Sequence, residues 1–531
     1  MISIEDLRTI SNQIDTEFTQ TFSGVFAQHR TWRKATDYTD ALTTCDTPVK
    51  TCWELAEKAG YDTPGPFQSL IAENTWDHDE IWNRIATSAP QLLPCPQNDP
   101  LGPGLAVDET AQPKRGHHTV ATGTQWAGCL GRKTNCVTSV FVSYVTPQAA
   151  TWINHGLFLP KKDWFTGTGA TGQARRTTAG VPDEATFETK PQIARRKFQE
   201  LRDLGVGFTW ATGDEVYGRY AALREDHEKN SEAYAYFVPR NFLIPTSTGS
   251  RHRADELAER AQGRFEVRSA GPGRTGPRYY EWAMIEAGTP QHFLLIRRPL
   301  PPPGTPTADP TNATAADTTH TPGTDTDIPD GTSFVYCHIP TDSPITPTVP
   351  NLVLMAGRRW PVEETIATGK GPLGWDHNQY RTWTSHQHHT ALCAMAMLKA
   401  TALRARLENT TTSPPHTDHP NITTPPADDN PTPGTHTPST PNRSPDAEDN
   451  PTIPLGDSLI PVRPDQPRPP DIGHIRLTLN ETLRLIGIAN AGLSKAQMAF
   501  HLRWSTWRRR HQAIARWHHC RARLAAQTAM T

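Results

Sequence analysis

The chain has 531 residues, a formal charge of −2, 35% hydrophobic residues and 49 prolines. That is too long for one ordinary domain and fits two or three, and the proline count with modest apolar content means that part of it is not packed core. No apolar stretch approaches a membrane span, and the acidic, amphipathic start "MISIEDLRTISNQIDTEFTQ" lacks a signal-peptide pattern, so a soluble, cytoplasmic protein is expected.

Residues 1–97 are predicted to be helical. Trp53, Leu55, Ala56, Phe67, Leu70, Ile71, Trp76, Ile81 and Trp82 recur there at helical spacings. A small helical bundle and a DNA-binding accessory domain are both open readings. Residues 98–240 change character. "GLAVDET", "HTVATGTQWAGCLG" and "NCVTSVFVSYV" read as three strands, "TKPQIARRKFQELRDLG" as a helix, and "FTWATGDE" and "AYAYFVPR" as two more strands. Three strands followed by helix, strand, helix and strand is the order of a ribonuclease-H-like α/β core. Residues 241–344 hold four further strand-like runs and are predicted to be a β-rich insertion. Residues 345–407 return to helix.

Two tracts, 300–331 and 408–470, are built from Pro, Thr, Asp, Asn and His without hydrophobic periodicity, and are predicted to be extended and disordered. The last segment, 471–531, is predicted to be a helical tail. From His501 onward it has no acidic residue, and Arg503, Arg508, Arg509, Arg510, Arg516, Arg521 and Arg523 alternate with Trp504, Trp507 and Trp517. A charge run is usually a solvated face, but a purely basic, aromatic one on a neutral chain reads as a phosphate-binding surface. The eight cysteines form no C-x-x-C pair, which argues against a zinc ribbon or a disulfide framework.

The chemistry concentrates in carboxylates. Asp108 follows "GLAV" and Asp214 follows "FTWATG", each read as a strand tip, and Glu363 lies later in "AGRRWPVEETIATGK". Two Asp on core strands and a late Glu on a helix can bind two divalent cations for phosphoryl chemistry. Glu109, Glu215 and Glu364 are read as neighbours of these ligands. Arg359 and Lys370 flank Glu363 on one helix face, where they would grip a phosphate. Taken alone, that spacing is better read as an ordinary amphipathic helix with i,i+4 ion pairs. Pro361 belongs in a helix's first turn, which sets Arg359 just outside that helix. Lys114 and Arg115 are DNA-phosphate contacts or solvated turn charges. His388 and His389, in "SHQHHTALCAMAML", read as helix caps or DNA contacts, with metal binding the lesser alternative.

The stretches "AVDETAQPKRGHHTVATGTQWAGCLGRKTNCVTSVFVSYV", "LFLPKKDW", "TGDEVYGRY" and "GRRWPVEETIATGKGPLGWDHNQYRTW", with "WSTWRRRHQAIARWHH" near the C-terminus, carry a further signal. The chain resembles the DDE transposases of bacterial insertion sequences, in the branch with a Tyr-Arg-Glu-Lys signature, and most closely the insertion sequence 701 family. The resemblance implies a catalytic and metal-binding triad of Asp108, Asp214 and Glu363, with Mg2+ as the ion and Mn2+ as an alternative. It implies Arg359 and Lys370 as the signature's Arg and Lys. The signature's Tyr falls at position 356, where this chain has Ala356. It further implies binding to double-stranded DNA at element ends and target, DNA cleavage, joining of 3′-hydroxyl ends to target DNA, and a homodimer in the synaptic complex. Lys114, Arg508, Arg509, Arg510 and Arg516 are the remaining expected phosphate contacts. A domesticated or inactive transposase that only binds DNA, and a metal-dependent DNA nuclease, are the alternatives.

Overall fold

The structure is a computed structural model that describes residues 3–166, 172–246, 249–261, 263–273, 276–300, 330–412, 453–455, 458–462 and 473–528. Five helices open the chain: α1 (Ile4–Phe22), α2 (His29–Thr44), α3 (Cys52–Lys58), α4 (Gly65–Ala72) and α5 (His78–Leu92). Ser3 and Thr51 close capping boxes, and Asp77 caps α5, so three of the starts are fixed by local chemistry. In α1, Leu7, Ile10, Ile14 and Phe18 form the buried stripe that helical periodicity demands.

The sheet begins with β1 (Gly104–Pro113), β2 (Gly123–Ala127), β3 (Arg132–Val145) and β4 (Ala150–Phe158). After α6 (Lys161–Trp164), α7 (Gln173–Ala179) and α8 (Lys190–Asp203) come β5 (Trp210–Gly213), α9 (Glu215–Gly218), α10 (Ala221–Lys229) and β6 (Ala233–Val238). A small ribbon of β7 (Leu243–Pro245) and β8 (Arg251–Arg253) leads through α11 (Ala254–Glu259) to β9 (Glu266–Gly273), β10 (Gly276–Ala287), β11 (Thr289–Arg298) and β12 (Ser333–His338). The chain then turns helical in α12 (Val349–Gly357), α13 (Trp360–Lys370) and α14 (Trp383–Thr412). A hairpin of β13 (Ile453–Leu455) and β14 (Ser458–Val462) precedes α15 (Leu479–Asn490) and α16 (Lys495–Thr528).

The strand order around the core is β4-β3-β1-β5-β6, with β3 antiparallel to both β4 and β1 and with β5 and β6 parallel to β1. This mixed sheet is consistent with a ribonuclease-H-like core, but two of its strands differ from the sequence reading. The second run, "HTVATGTQWAGCLG", supplies only the short β2, which pairs with the first five residues of β3 beyond the reach of β4. The third core strand is β4, "ATWINHGLF", which the sequence reading passed over. Seven consecutive β4 residues are buried, so it lacks the alternation that marks a half-exposed strand.

The expected insertion is not set apart from the core. β12 pairs antiparallel with β6 from Phe334↔Val238 to His338↔Tyr234, and β11, β10 and β9 follow outward in one continuous ten-stranded sheet. Position 97 is likewise no break in packing. One buried cluster joins Leu7, Phe67 and Ile81 of the N-terminal helices to Leu392 and Leu398 of α14 and to Trp152 of the sheet. Residues 391–398 of α14 are all buried, as befits a helix apolar on every side.

Of the tracts expected to be disordered, 408–412 completes α14, and β13 and β14 form their hairpin within 408–470. Residues 301–329 and most of 413–472 lie outside the described residues. Among the described residues no helix is long and apolar enough to cross a membrane.

Candidate active site

Asp108 is in the interior of β1 and not at its tip, contrary to the sequence reading. The strand continues along β3 to Pro113, while its parallel pairing with β5 ends at Val107↔Gly213. Asp108 therefore sits just past the last residue of β5, and Asp214 is the next residue along that strand. Asp214 turns the chain into α9 by accepting the Val216 N–H at 2.9 Å. Two glycines allow this approach. A Cβ at Gly213 would lie 2.9 Å from Val107 Cγ1, and one at Gly218 would lie 1.9 Å from the carbonyl oxygen of Phe237 on β6. The short turn "DEVYG" is thus shaped by the need to lay α9 against the sheet backbone.

One carboxylate oxygen from each of Asp108, Glu109 and Asp214 lies within 4.8 Å of the other two. Burial pushes the Asp108 carboxyl up to about 7; Arg359 opposes the rise, while Asp214 and Glu109 add to it. Burial and the Glu109 charge push Asp214 up to about 6. Oxygens gathered in this way, desolvated and mutually repelling, suit a hard divalent cation.

Glu109 is the site residue that sequence reasoning placed second. Lys190, at the start of α8, donates to its Oε1 at 2.8 Å, and the buried Tyr217 hydroxyl donates to its Oε2 at 2.7 Å. Both oxygens are engaged, so Glu109 contributes charge and orientation more readily than a vacant ligand atom. Tyr217 lies inside the "TGDEVYGRY" stretch, but nothing in that string says where its hydroxyl points.

Glu363 arrives on α13, which begins at Trp360 with Arg359 as the preceding cap residue and Pro361 in the first turn. A Cβ at Gly369 would lie 2.1 Å from the Trp152 ring, so that glycine lets α13 rest on β4. Arg359 then spans the site. It donates to Asp108 Oδ2 at 3.2 Å and, through its other terminal nitrogen, to Glu363 Oε1. The structure therefore brings Asp108 and Asp214 together directly and ties Glu363 to them through a guanidinium.

The other expected phosphate contacts are mostly engaged inside the fold. Lys370 donates to the Ala111 carbonyl of β1 at 2.6 Å. Lys114 donates to the Asn378 carbonyl at 3.1 Å and lies 4.9 Å from the Tyr380 ring centre, and burial lowers its amine to about 8. Arg509 is only 7% exposed and donates to the Ile475 carbonyl, so it faces inward. Arg508 pairs with Glu481 of α15, and Arg516 is half-buried. Arg510 is exposed, as are Phe500, Trp504 and Trp507. The helix buries one basic face because α16 packs over α15 and the sheet.

His388 and His389 are neither caps nor surface groups. His388 stacks on Trp76 with ring centres 3.8 Å apart, and His389 bonds the Tyr38 hydroxyl and the Trp375 carbonyl. Burial depresses both to about 4, leaving neutral rings that lock the N-terminal helices to α14. Ala356, at the signature's Tyr position, is 3% exposed near the end of α12.

Residues 17–250 match the family described as DDE superfamily endonuclease. The chain is also similar to a protein of Microchaete diplosiphon named "Probable transposase for insertion sequence element IS701", at 24% identity over 276 residues. The aligned stretch covers 50% of this chain and 66% of that relative, just short of two thirds of its length. The two matches bear out the resemblance to DDE transposases of the insertion sequence 701 kind. The family match contains Asp108 and Asp214 and ends well before Glu363.

Proposed function

We propose, from this resemblance and the site it surrounds, that the chain is a DNA transposase that cuts DNA at element ends and joins the freed 3′-hydroxyl to target DNA. The observation that carries the reading is the convergence of Asp108, just past the end of β1's parallel pairing with β5, and Asp214, the residue after β5, with Glu109 within 4.8 Å. Asp108, Asp214 and Glu363 are the residues that would hold Mg2+ or Mn2+. A divalent cation bound there would polarise the scissile phosphate and lower the pKa of the attacking hydroxyl.

The remaining work belongs to the protein. Lys190 and Tyr217 hold Glu109 so that its charge faces the pair of aspartates. Arg359 keeps Glu363 and Asp108 in register and presents guanidinium N–H groups where a phosphate would lie. Lys370, held on the Ala111 carbonyl of β1 three residues beyond Asp108, adds positive charge beside the same strand. Hydrolysis breaks a phosphodiester and leaves a 3′-hydroxyl; strand transfer exchanges one phosphodiester for another, so no energy-carrying cofactor is needed. Synapsis of two ends implies at least a homodimer, and the exposed Arg510, Trp504 and Trp507 face supports DNA contact by the tail.

A strand-transfer assay tests this. Purified protein, Mg2+ and labelled element-end DNA are mixed with a target plasmid, in parallel with Asp214→Ala. Joined products from the wild type alone are expected. Cleaved but unjoined DNA would instead favour a nuclease, and bound but uncut DNA a transposase that has lost its chemistry.

A further inference from the structure

Arginines near the site divide into two kinds. Arg298 pairs with Glu281 at 3.3 Å, Arg268 pairs with Glu266 at 2.6 Å, and Arg358 pairs with Asp99. Arg297 and Arg278 are half-buried, yet among the described residues neither forms an ion pair with a carboxylate. Arg297, near the end of β11, donates to Ser333 Oγ at 2.8 Å. Its guanidinium centre lies 4.7 Å from the Tyr280 ring and 5.4 Å from the Phe237 ring. Arg359, which grips Asp108 and Glu363, lies 5.6 Å from that same Phe237 ring. Arg278 stands 5.0 Å from Trp360, one residue beyond Arg359, and donates to the Gly357 carbonyl at 2.9 Å.

Three guanidiniums thus gather where the outer strands meet the start of α13. Burial is the main cause lowering the pKa of both Arg297 and Arg278; Arg359 adds to it in both and Arg297 adds to it in Arg278, while Tyr280 opposes it in both and Glu363 opposes it in Arg278. Arg359 is already occupied by Asp108 and Glu363, but Arg297 and Arg278 have no carboxylate partner of their own, and a half-desolvated cation left so is unfavourable unless an anion visits. The rings offset part of that, since a cation over an aromatic face gains about 0.5–2 kcal/mol. Arg278 is further committed to backbone carbonyls of β9 and α12. Arg297 has the fewest fixed partners, and Phe237 and Tyr280 beside it are only partly buried.

We propose that Arg297, seated between Tyr280 and Phe237 and backed by Arg278, is a binding site for a backbone phosphate of the DNA strand that enters the acidic site. The inference rests on the reading of the chain as a DNA-processing enzyme, and it assigns a DNA-contacting role to the outer sheet. Recognition is of a phosphodiester anion and not of a base, because a guanidinium offers N–H donors and positive charge that match phosphate oxygens.

The test is the salt dependence of binding of a fluorescein-labelled DNA duplex by the full chain, for wild type, Arg297→Gln and Arg297→Lys. Loss of one phosphate contact should flatten the log–log salt slope by about 0.9 and weaken low-salt binding several-fold in Arg297→Gln. Arg297→Lys, which keeps the charge, should keep the wild-type slope. An unchanged slope in Arg297→Gln overturns the proposal. So does equal loss in both variants with a matching fall in melting temperature, which would make Arg297 a packing residue. Failure of the wild type to bind any duplex would sink the transposase reading itself, and this site with it.

Discussion

Replacing Asp108 with Asn should stabilise the protein at pH 8, and the gain should fade as the pH falls. Burial and neighbouring carboxylates raise Asp108 from 3.8 to about 7, so the ionised form is disfavoured in the folded chain. The sign follows from linkage. Between pH 4 and 7 the folded state binds a proton that the unfolded state has released, so stability on this group's account falls as the pH rises through that window. A shift of about three units corresponds to about 4 kcal/mol as an upper bound. Arg359 would lose one of two carboxylate partners, and Asp214 shares the same field, so about 2 kcal/mol is the expected net gain. Thermal melts of wild type and Asp108→Asn at pH 8 and pH 5 measure it. In a chain of this length that is about 2–4 °C at pH 8, shrinking to a third or less at pH 5. An equal difference at both values, or a less stable variant at pH 8, would refute the account of Asp108 as a strained carboxylate kept for a cation.

Mg2+ at ten times its dissociation constant should stabilise the wild type by about 1.4 kcal/mol and leave Asp214→Asn unmoved, as read by melting with and without chelator. Gly218→Ala should destabilise the fold by about 1–3 kcal/mol or more, since its Cβ would meet the Phe237 carbonyl at 1.9 Å; denaturant unfolding checks this. Ala356→Tyr, which restores the signature residue, should destabilise by a similar amount, because position 356 is 3% exposed and has no room for a ring. In the tail, Arg509→Gln should cost about 1–3 kcal/mol of stability by disturbing a buried arginine that donates to the Ile475 carbonyl. Arg510→Gln should weaken duplex binding, as read by titration of a labelled duplex.

Much of this site was legible because it is built from residue types with few alternatives. Acidic residues directly after apolar runs announced Asp108 and Asp214, and Pro361 correctly set Arg359 ahead of its helix. What escaped depends on register and on packing between distant segments. β4 hid because a strand buried on both faces has no alternation to read. That the outer strands extend the core sheet was not legible, because nothing in "SFVYCHI" says that it pairs with "AYAYFV". His388 and His389 looked like surface groups because His is ambiguous until its neighbours, here Trp76, Tyr38 and Trp375, are known. The basic tail was read as one surface, yet a helix has sides, and Arg509 and Trp517 lie on the inner one.

Arg359 joins the stability argument to the functional one. Carboxylates gathered for a divalent cation repel one another in a folded chain that lacks it, and burial makes the repulsion stronger. A single guanidinium on Asp108 and Glu363 relieves this without filling the site permanently, because its side chain is flexible and one-fifth exposed. Any cation competing for those oxygens must displace it. The displaced group stays beside Phe237, where Arg297 already stands. Were a divalent cation to bind those carboxylates as proposed, the same arrangement would leave positive charge free for an incoming phosphate. Four residues before Glu363, the Arg359 side chain can pair with the helix carboxylate and reach Asp108 on the strand at once.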